Sequence, residues 1–265
     1  MHQQKDKDDQ VVRVAHIARD LAHLPGAATP DWCQRAAATF ARHDPTTRAW
    51  VAVIGPSTPQ HNRPTESIGF AKGAEAQSSH PPQERLAAVL CRGVLETLPD
   101  LELPGVVSGD RLLELATHPI RGITHLRRHT HILAGVAEVE PLSSSTPSPR
   151  LLLIFWDRPP EPMPALPLGR ARRWRKQAAP DDLRLILRSV LRVARDRLCQ
   201  AIGNSDTENP WLSVCEQRVL DMLVAGMSVR QIAEVQSRSP HTVHDHVKRL
   251  YAKLGTNSRG ALLAR

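Results

Sequence analysis

Residues 239–255 read SPHTVHDHVKRLYAKLG, and their helical geometry decides what the C-terminal part of the chain is. Three histidines and an aspartate in so short a space raise the question of a metal or catalytic cluster. Each residue of an α-helix advances about 100°. On that spacing Val243, Val247, Leu250, Tyr251 and Leu254 share one apolar side, while His241, His244, Asp245, Lys248, Arg249 and Ala252 lie opposite. His246 sits at the edge of the stripe, and His244 and His246 diverge by more than about 150°. Zinc ligands must converge on one point, so this stretch holds no metal by itself. It is an amphipathic helix with a mixed polar face turned to solvent.

The residues before it repeat the pattern of short, well-capped helices. Ser213-x-x-Glu216 and Ser228-x-x-Gln231 are capping boxes, the first opening a helix that Gly226 ends. Ser239 and Pro240 are an N-cap and a first-turn proline. Ser258 starts a fourth helix. Four helices in about 55 residues, the second and third separated by a tight turn, make a helix-turn-helix arrangement.

Leu212-Ser213, Glu216, Val219-Leu220, Gly226, Ile232-Ala233, Ser239, Thr242-Val243, His246, Lys253-Leu254 and Ser258-Arg259 keep the order and spacing of one known family. Residues 211–265 resemble the LuxR-type (FixJ/NarL/GerE-like) DNA-binding domain. Three positions depart from that family. Its turn reads Leu-Gly-apolar where this chain has Gln236-Ser237-Arg238, and Cys215 replaces the usual Arg before Glu216. Ser237 tolerates the turn at a greater cost than glycine. Arg238 is expected to swing outward toward phosphate while Val235 fills the core.

The resemblance implies a recognition helix, residues 240–254, in the DNA major groove. It assigns base contacts to His244, Asp245 and Lys248. Lys248 can donate to guanine, Asp245 can accept from cytosine, and His244 can do either. Backbone contacts fall to Thr242, Arg249, Lys253, Arg230, Arg238 and His241. The family pairs on two half-sites, so a homodimer through Leu262 and Leu263 is implied. The apolar stripe over 183–201 reads first as packing on its own domain and alternatively as a short two-chain seam that could add to the dimer. The expected partners are double-stranded DNA and, beyond it, RNA polymerase. No cofactor, metal or enzymatic activity is expected, and the cytoplasm, at the nucleoid, is the expected location.

Charge fits that reading. The chain of 265 residues has a net charge of +8. Residues 1–169 hold 17 basic against 18 acidic residues, residues 170–202 hold 10 against 3, and residues 211–265 hold 8 against 4. A near-neutral front joined to a basic back points to a sensor attached to a polyanion-binding module. The four cysteines form no close pair, which leaves no zinc or redox motif and fits a reducing compartment. The charged start MHQQKDKDDQ lacks the apolar core of a secretory signal, and no apolar run approaches the ~18 residues of a membrane span.

The front half reads as helices over 11–24 and 31–42, the second capped by Asp31, strands over 48–55 and 67–73, and a helix over 83–98. Strands follow over 104–110, 120–128, 130–140 and 150–157, with a helix opened by Asp110 between the first two. The fold class is therefore α+β. Residues 1–10 are a disordered tail and residues 11–169 a GAF/PAS-like antiparallel sheet with helices. A basic linker and amphipathic helix span 170–210, and the all-α helix-turn-helix domain spans 211–265. The Pro-rich run 158–169 is a stiff connector. The front signal stays open: neither the acidic pair of a phosphorylated receiver nor the aromatic–Asp–Pro set of an acyl-homoserine-lactone pocket is present. His125, His129 and His131 share a face if 124–131 is one strand. Two other readings remain: a sigma-factor-like polymerase subunit, or a sensory or enzymatic protein whose tail only resembles a helix-turn-helix.

Overall fold

The computed structural model describes residues 2–55, 65–76, 90–91, 94–95, 98–109, 111, 132–140, 150–158, 181–203 and 211–263. Helices α1 (His2–Ala22) and α2 (Trp32–His43) come first. Strands β1 (Arg48–Ile54), β2 (Thr65–Lys72), β3 (Gly105–Ser108), β4 (Leu133–Val139) and β5 (Arg150–Asp157) then form one sheet in the order β2-β1-β5-β4-β3, each described pairing antiparallel. A long helix, α3 (Asp181–Ile202), follows. The chain ends in α4 (Val214–Val224), α5 (Val229–Val235), α6 (Pro240–Leu254) and α7 (Arg259–Leu263). The protein is thus a mixed helix-and-sheet chain, with an N-terminal antiparallel sheet and a C-terminal helical unit.

The sheet is covered on both faces, which explains why AWVAVI in β1 and LLLIFW in β5 are unbroken apolar runs rather than alternating ones. Ala49, Val51, Val53, Leu152, Ile154 and Trp156 face α1, α2 and α3. Trp50, Ala52, Ile54, Leu151, Leu153 and Phe155 face the other way, toward the helical residues Leu90, Cys91 and Val94. At one end of the central pair, Arg48 and Asp157 stand opposite in register and form a buried ion pair, Arg48 Nε to Asp157 Oδ2 at 3.0 Å.

Helix α3 takes the first of the two readings of its stripe, packing on its own domain, and corrects its assignment to the linker segment 170–210. Its stripe Leu183, Leu187, Val190, Ala194, Leu198 and Ala201 lies in the front domain's own core, packed on α1 and β4. It is therefore neither a free seam for a second chain nor a spacer between domains. An ion network fixes its start: Arg158 Nη2 reaches Asp44 Oδ2 at 2.6 Å and Asp182 Oδ2 at 3.1 Å, and Arg13 reaches Asp44 at 3.3 Å. Residues 158 and 182 thus meet at one corner of the front domain.

Helix α1 starts at His2, so the expected irregular tail over 1–10 is helical instead. Its charged residues carry helix propensity without apolar periodicity, so a pattern-based reading stops at Val11. Asp31 occupies the N-cap of α2 but makes no side-chain cap bond; it accepts from Thr29 Oγ1 at 2.7 Å and from Arg35 Nε at 2.6 Å. The expected strand over 120–128, the histidines of 124–131, the basic run 170–177 and Asp110 lie outside the described residues.

Helix α2 closes the sheet's outer edge. Gln34 Nε2 donates to Phe70 O at 2.7 Å and Phe70 N donates to Gln34 Oε1 at 3.0 Å, so one side chain satisfies a backbone pair of β2. That approach needs Gly69, where a Cβ would sit 2.1 Å from Gln34 N and 2.2 Å from Cys33 C. Gly69→Ala should destabilise the protein by about 1–3 kcal/mol through overpacking against backbone. Urea unfolding measures this, and an unchanged midpoint would refute the contact.

Candidate nucleic-acid interface

The C-terminal unit has its own core. Leu212, Val219, Leu223, Ile232, Ala233, Val243, Val247, Leu250, Leu254 and Leu262 are buried together, with Tyr251 packed against them. Its helices begin as their sequences require. Ser213 Oγ accepts from Glu216 N at 3.2 Å while Glu216 Oε2 accepts from Ser213 N at 2.7 Å. Ser228 and Gln231 make the same reciprocal pair at 3.3 and 2.8 Å. Ser239 Oγ accepts from Thr242 N at 3.1 Å, Pro240 fills the first turn, and Gly255 closes α6 at φ 58°.

On α6 the buried side consists of Val243, Val247, Leu250 and Leu254. His241, His244, Asp245, Lys248, Arg249 and Ala252 are exposed, and His246 is half-buried. The three expected base readers, His244, Asp245 and Lys248, therefore share the outer face. His241 Nε2 lies 3.9 Å from Asp245 Oδ2, one helical turn away. Thr242 is half-buried, and its hydroxyl is engaged with Ser239 Oγ at 2.8 Å. Arg230 is exposed beside Glu234 at 3.7 Å, and Arg238 is exposed in the turn.

The turn departs from the family pattern as its residues imply. Ser237 takes φ 51°, the conformation glycine adopts freely, and is the only non-glycine with positive φ among the described residues. Val235 does not fill the core: it is 66% exposed, because Ile232 and Ala233 already supply α5's buried contacts.

Two expected surface roles are corrected by burial. Leu262 is 8% exposed and belongs to the unit's core, so of the pair only Leu263, 53% exposed, offers an apolar edge. Lys253 is turned inward. Its Nζ lies 2.8 Å from Glu216 Oε2 and 2.7 Å from Trp211 O, with the side chain only 17% exposed. A helical-wheel position allows a long basic side chain to point either way; an acceptor pair at the N-terminus of α4 draws this one in. Glu216 thereby both caps α4 and ties it to α6. Trp211 was not singled out in the sequence; the available signal was a scarce aromatic residue directly before a capped helix.

Among the described residues no three His, Cys, Asp or Glu side chains are grouped to hold a metal. Burial pushes the Cys33 and Cys91 thiols up to about 12, which leaves neither a ready nucleophile. No helix of the described residues is long and apolar enough to cross a membrane.

Burial raises the Glu216 carboxyl, but the Lys253 ammonium and the two Ser213 bonds outweigh it and hold the group below its ordinary value. A depressed folded-state pKa contributes stability that is complete above the unfolded value, about 4.3, and is lost as pH falls through the folded value. Lys253→Met leaves burial unopposed by the ammonium. It should cost on the order of 3 kcal/mol at neutral pH and move acid unfolding to higher pH. Circular dichroism during acid titration reads this; an unmoved acid midpoint would contradict the pairing.

Residues 210–264 match the family described as bacterial regulatory proteins, luxR family. The probable transcriptional regulatory protein NarL of Mycobacterium tuberculosis is 44% identical over 55 residues, 21% of this chain and 26% of that protein. The probable HTH-type transcriptional regulator GfsR of Streptomyces halstedii is 34% identical over 82 residues, 30% of this chain and 34% of that protein. The chain thus matches about a quarter to a third of the length of these relatives. A crystal structure of Escherichia coli SdiA superposes over 82% of this chain and 81% of that one at TM-score 0.32 and 14% identity, too loose to speak for a shared fold. With its four capped helices, its tight turn and its matched stretch, the C-terminal unit is a helix-turn-helix domain of the luxR family of bacterial regulatory proteins.

Proposed function

We propose that this chain is a sequence-specific DNA-binding transcriptional regulator, without enzymatic activity, acting in the cytoplasm at the nucleoid. The single observation that carries the reading is α6: a buried apolar stripe beneath an exposed face of His244, Asp245 and Lys248, inside a luxR-family domain. In the major groove, Lys248 donates to guanine O6 or N7, and Asp245 accepts from cytosine N4 while repelling phosphates elsewhere. His244 donates or accepts according to its protonation. Arg249, His241, Arg238, Arg230 and the Thr242 hydroxyl lie toward the rims of this face and touch the backbone. Lys253 is left out of that set, because its charge is already engaged by Glu216. A homodimer, with Leu263 at its contact, places two such faces on adjacent half-sites.

The front domain serves as a GAF/PAS-like sensor of an unidentified signal. The five-stranded antiparallel sheet, backed by α1, α2 and α3, supports that reading.

Selection from a random duplex library gives the site, its symmetry and its spacing together; recovery of no enriched duplex would overturn the proposal. On the selected site, Lys248→Ala should cost about 1–3 kcal/mol and relax one base position. Equal weakening on specific and random duplexes would remove Lys248 from the base readers. Asp245→Ala should lower discrimination while raising affinity for random sequence, measured by titration at fixed salt. If neither changes, Asp245 does not read bases.

A further inference from the structure

The helix-turn-helix domain is attached to the front domain by more than its connecting chain. Trp211 is 8% exposed, and its ring belongs to the front domain's core cluster. Its indole Nε1 donates to Glu66 Oε2 at 2.9 Å, and Arg150 Nε donates to the same oxygen at 2.7 Å. Its backbone faces the other domain: Trp211 O accepts from Lys253 Nζ at 2.7 Å. The next residue, Leu212, is in the helical core, yet its amide donates back to Ala28 O at 2.9 Å. Ala27 packs against that same helical core. One residue thus has its side chain in the front domain and its carbonyl on the last turn of α6.

The docked arrangement leaves the outer face of α6 open, since His244, Asp245 and Lys248 are exposed with both domains present. This is not a mask over the reading face.

We infer that Trp211 and Glu66 form an interdomain latch that couples the edge strand β2 to the end of the recognition helix while keeping the reading face open. Glu66 is the coupling group, because it sits on β2 and binds both Arg150 at the start of β5 and Trp211 at the domain border. A displacement of β2 therefore reaches α6 through Glu66, Trp211 and Lys253. It changes how the helix-turn-helix domain is held rather than whether it is covered. Gly55 makes room for the latch: a Cβ there would lie 2.7 Å from Glu66 Oε1 and 3.0 Å from Glu66 Cγ, so the carboxylate arm uses the space that glycine leaves.

Hydrogen exchange on the full-length chain, without DNA, tests the latch independently of the proposed function. The Leu212 amide reports docking, and the amides of Ile154 and Trp156 in β5 report the front domain itself. Trp211→Phe keeps an aromatic ring and removes the donor; Gly55→Ala keeps the indole and displaces the carboxylate. In the wild-type chain the Leu212 amide should be protected. In both variants it should exchange on the order of ten-fold faster relative to β5, as expected when a charge-assisted hydrogen bond is lost. An unprotected Leu212 amide in the wild-type chain, or an unchanged ratio in either variant, overturns the latch.

Discussion

The ammonium of Lys253, held between Glu216 and the Trp211 carbonyl, ties the last turn of α6 to the start of α4. Apolar packing of Val243, Val247, Leu250 and Leu254 fixes which side of α6 is buried, but it permits the helix to slide or rotate by small amounts. A charged pair at one end, with Glu216 only 5% exposed at its side chain, removes much of that freedom, because a buried carboxylate left alone is far costlier than one that is paired. Glu216 also holds the first turn of α4 through Ser213. The first helix of the domain and the helix after the turn, α4 and α6, are thereby tied to one carboxylate.

The front domain relies on the same device at its own borders. Arg48 with Asp157, Arg150 with Glu66, and Arg158 with Asp44 and Asp182 all stand at the ends of strands or helices, where apolar layers give out. Arg48–Asp157, Arg150–Glu66 and Arg158–Asp44 each join elements more than 80 residues apart, while Arg158–Asp182 links β5 to the helix that follows it. The sheet supplies burial on two faces, and these ions set the corners at which α1, α2 and α3 meet it.

Much of the helix-turn-helix domain was legible because its helices are short, each with a capping residue and a 3.6-residue apolar rhythm. Residues 239–255 gave the buried stripe of α6 and the exposed His244, Asp245 and Lys248, though not the inward turn of Lys253. Strands β1 and β5 were equally plain, since six consecutive apolar residues in each, AWVAVI and LLLIFW, leave few alternatives. What could not be read was what covers each apolar face. The stripe of α3 was visible, but α1 and β4, rather than a second chain, complete it. Leu262 and Lys253 show the same limit at single side chains: periodicity places a Cβ, and only the neighbours decide whether the rest turns in or out. Ser237 was legible in kind, as a turn residue standing where glycine is usual, and it does take positive φ.

Helix α3 lies beside α1, with Gln10 donating to Asp182 O and Arg197 donating to Leu24 O across about 170 residues of intervening chain. The first and the last described elements of the front domain are thus neighbours. During synthesis, the apolar sides of α1 and β4 stay incompletely covered until residue 202 has left the ribosome. Long-range closure of this kind is slow. The helix-turn-helix domain, with its local contacts, need not wait for that closure and can form as soon as its own residues are free.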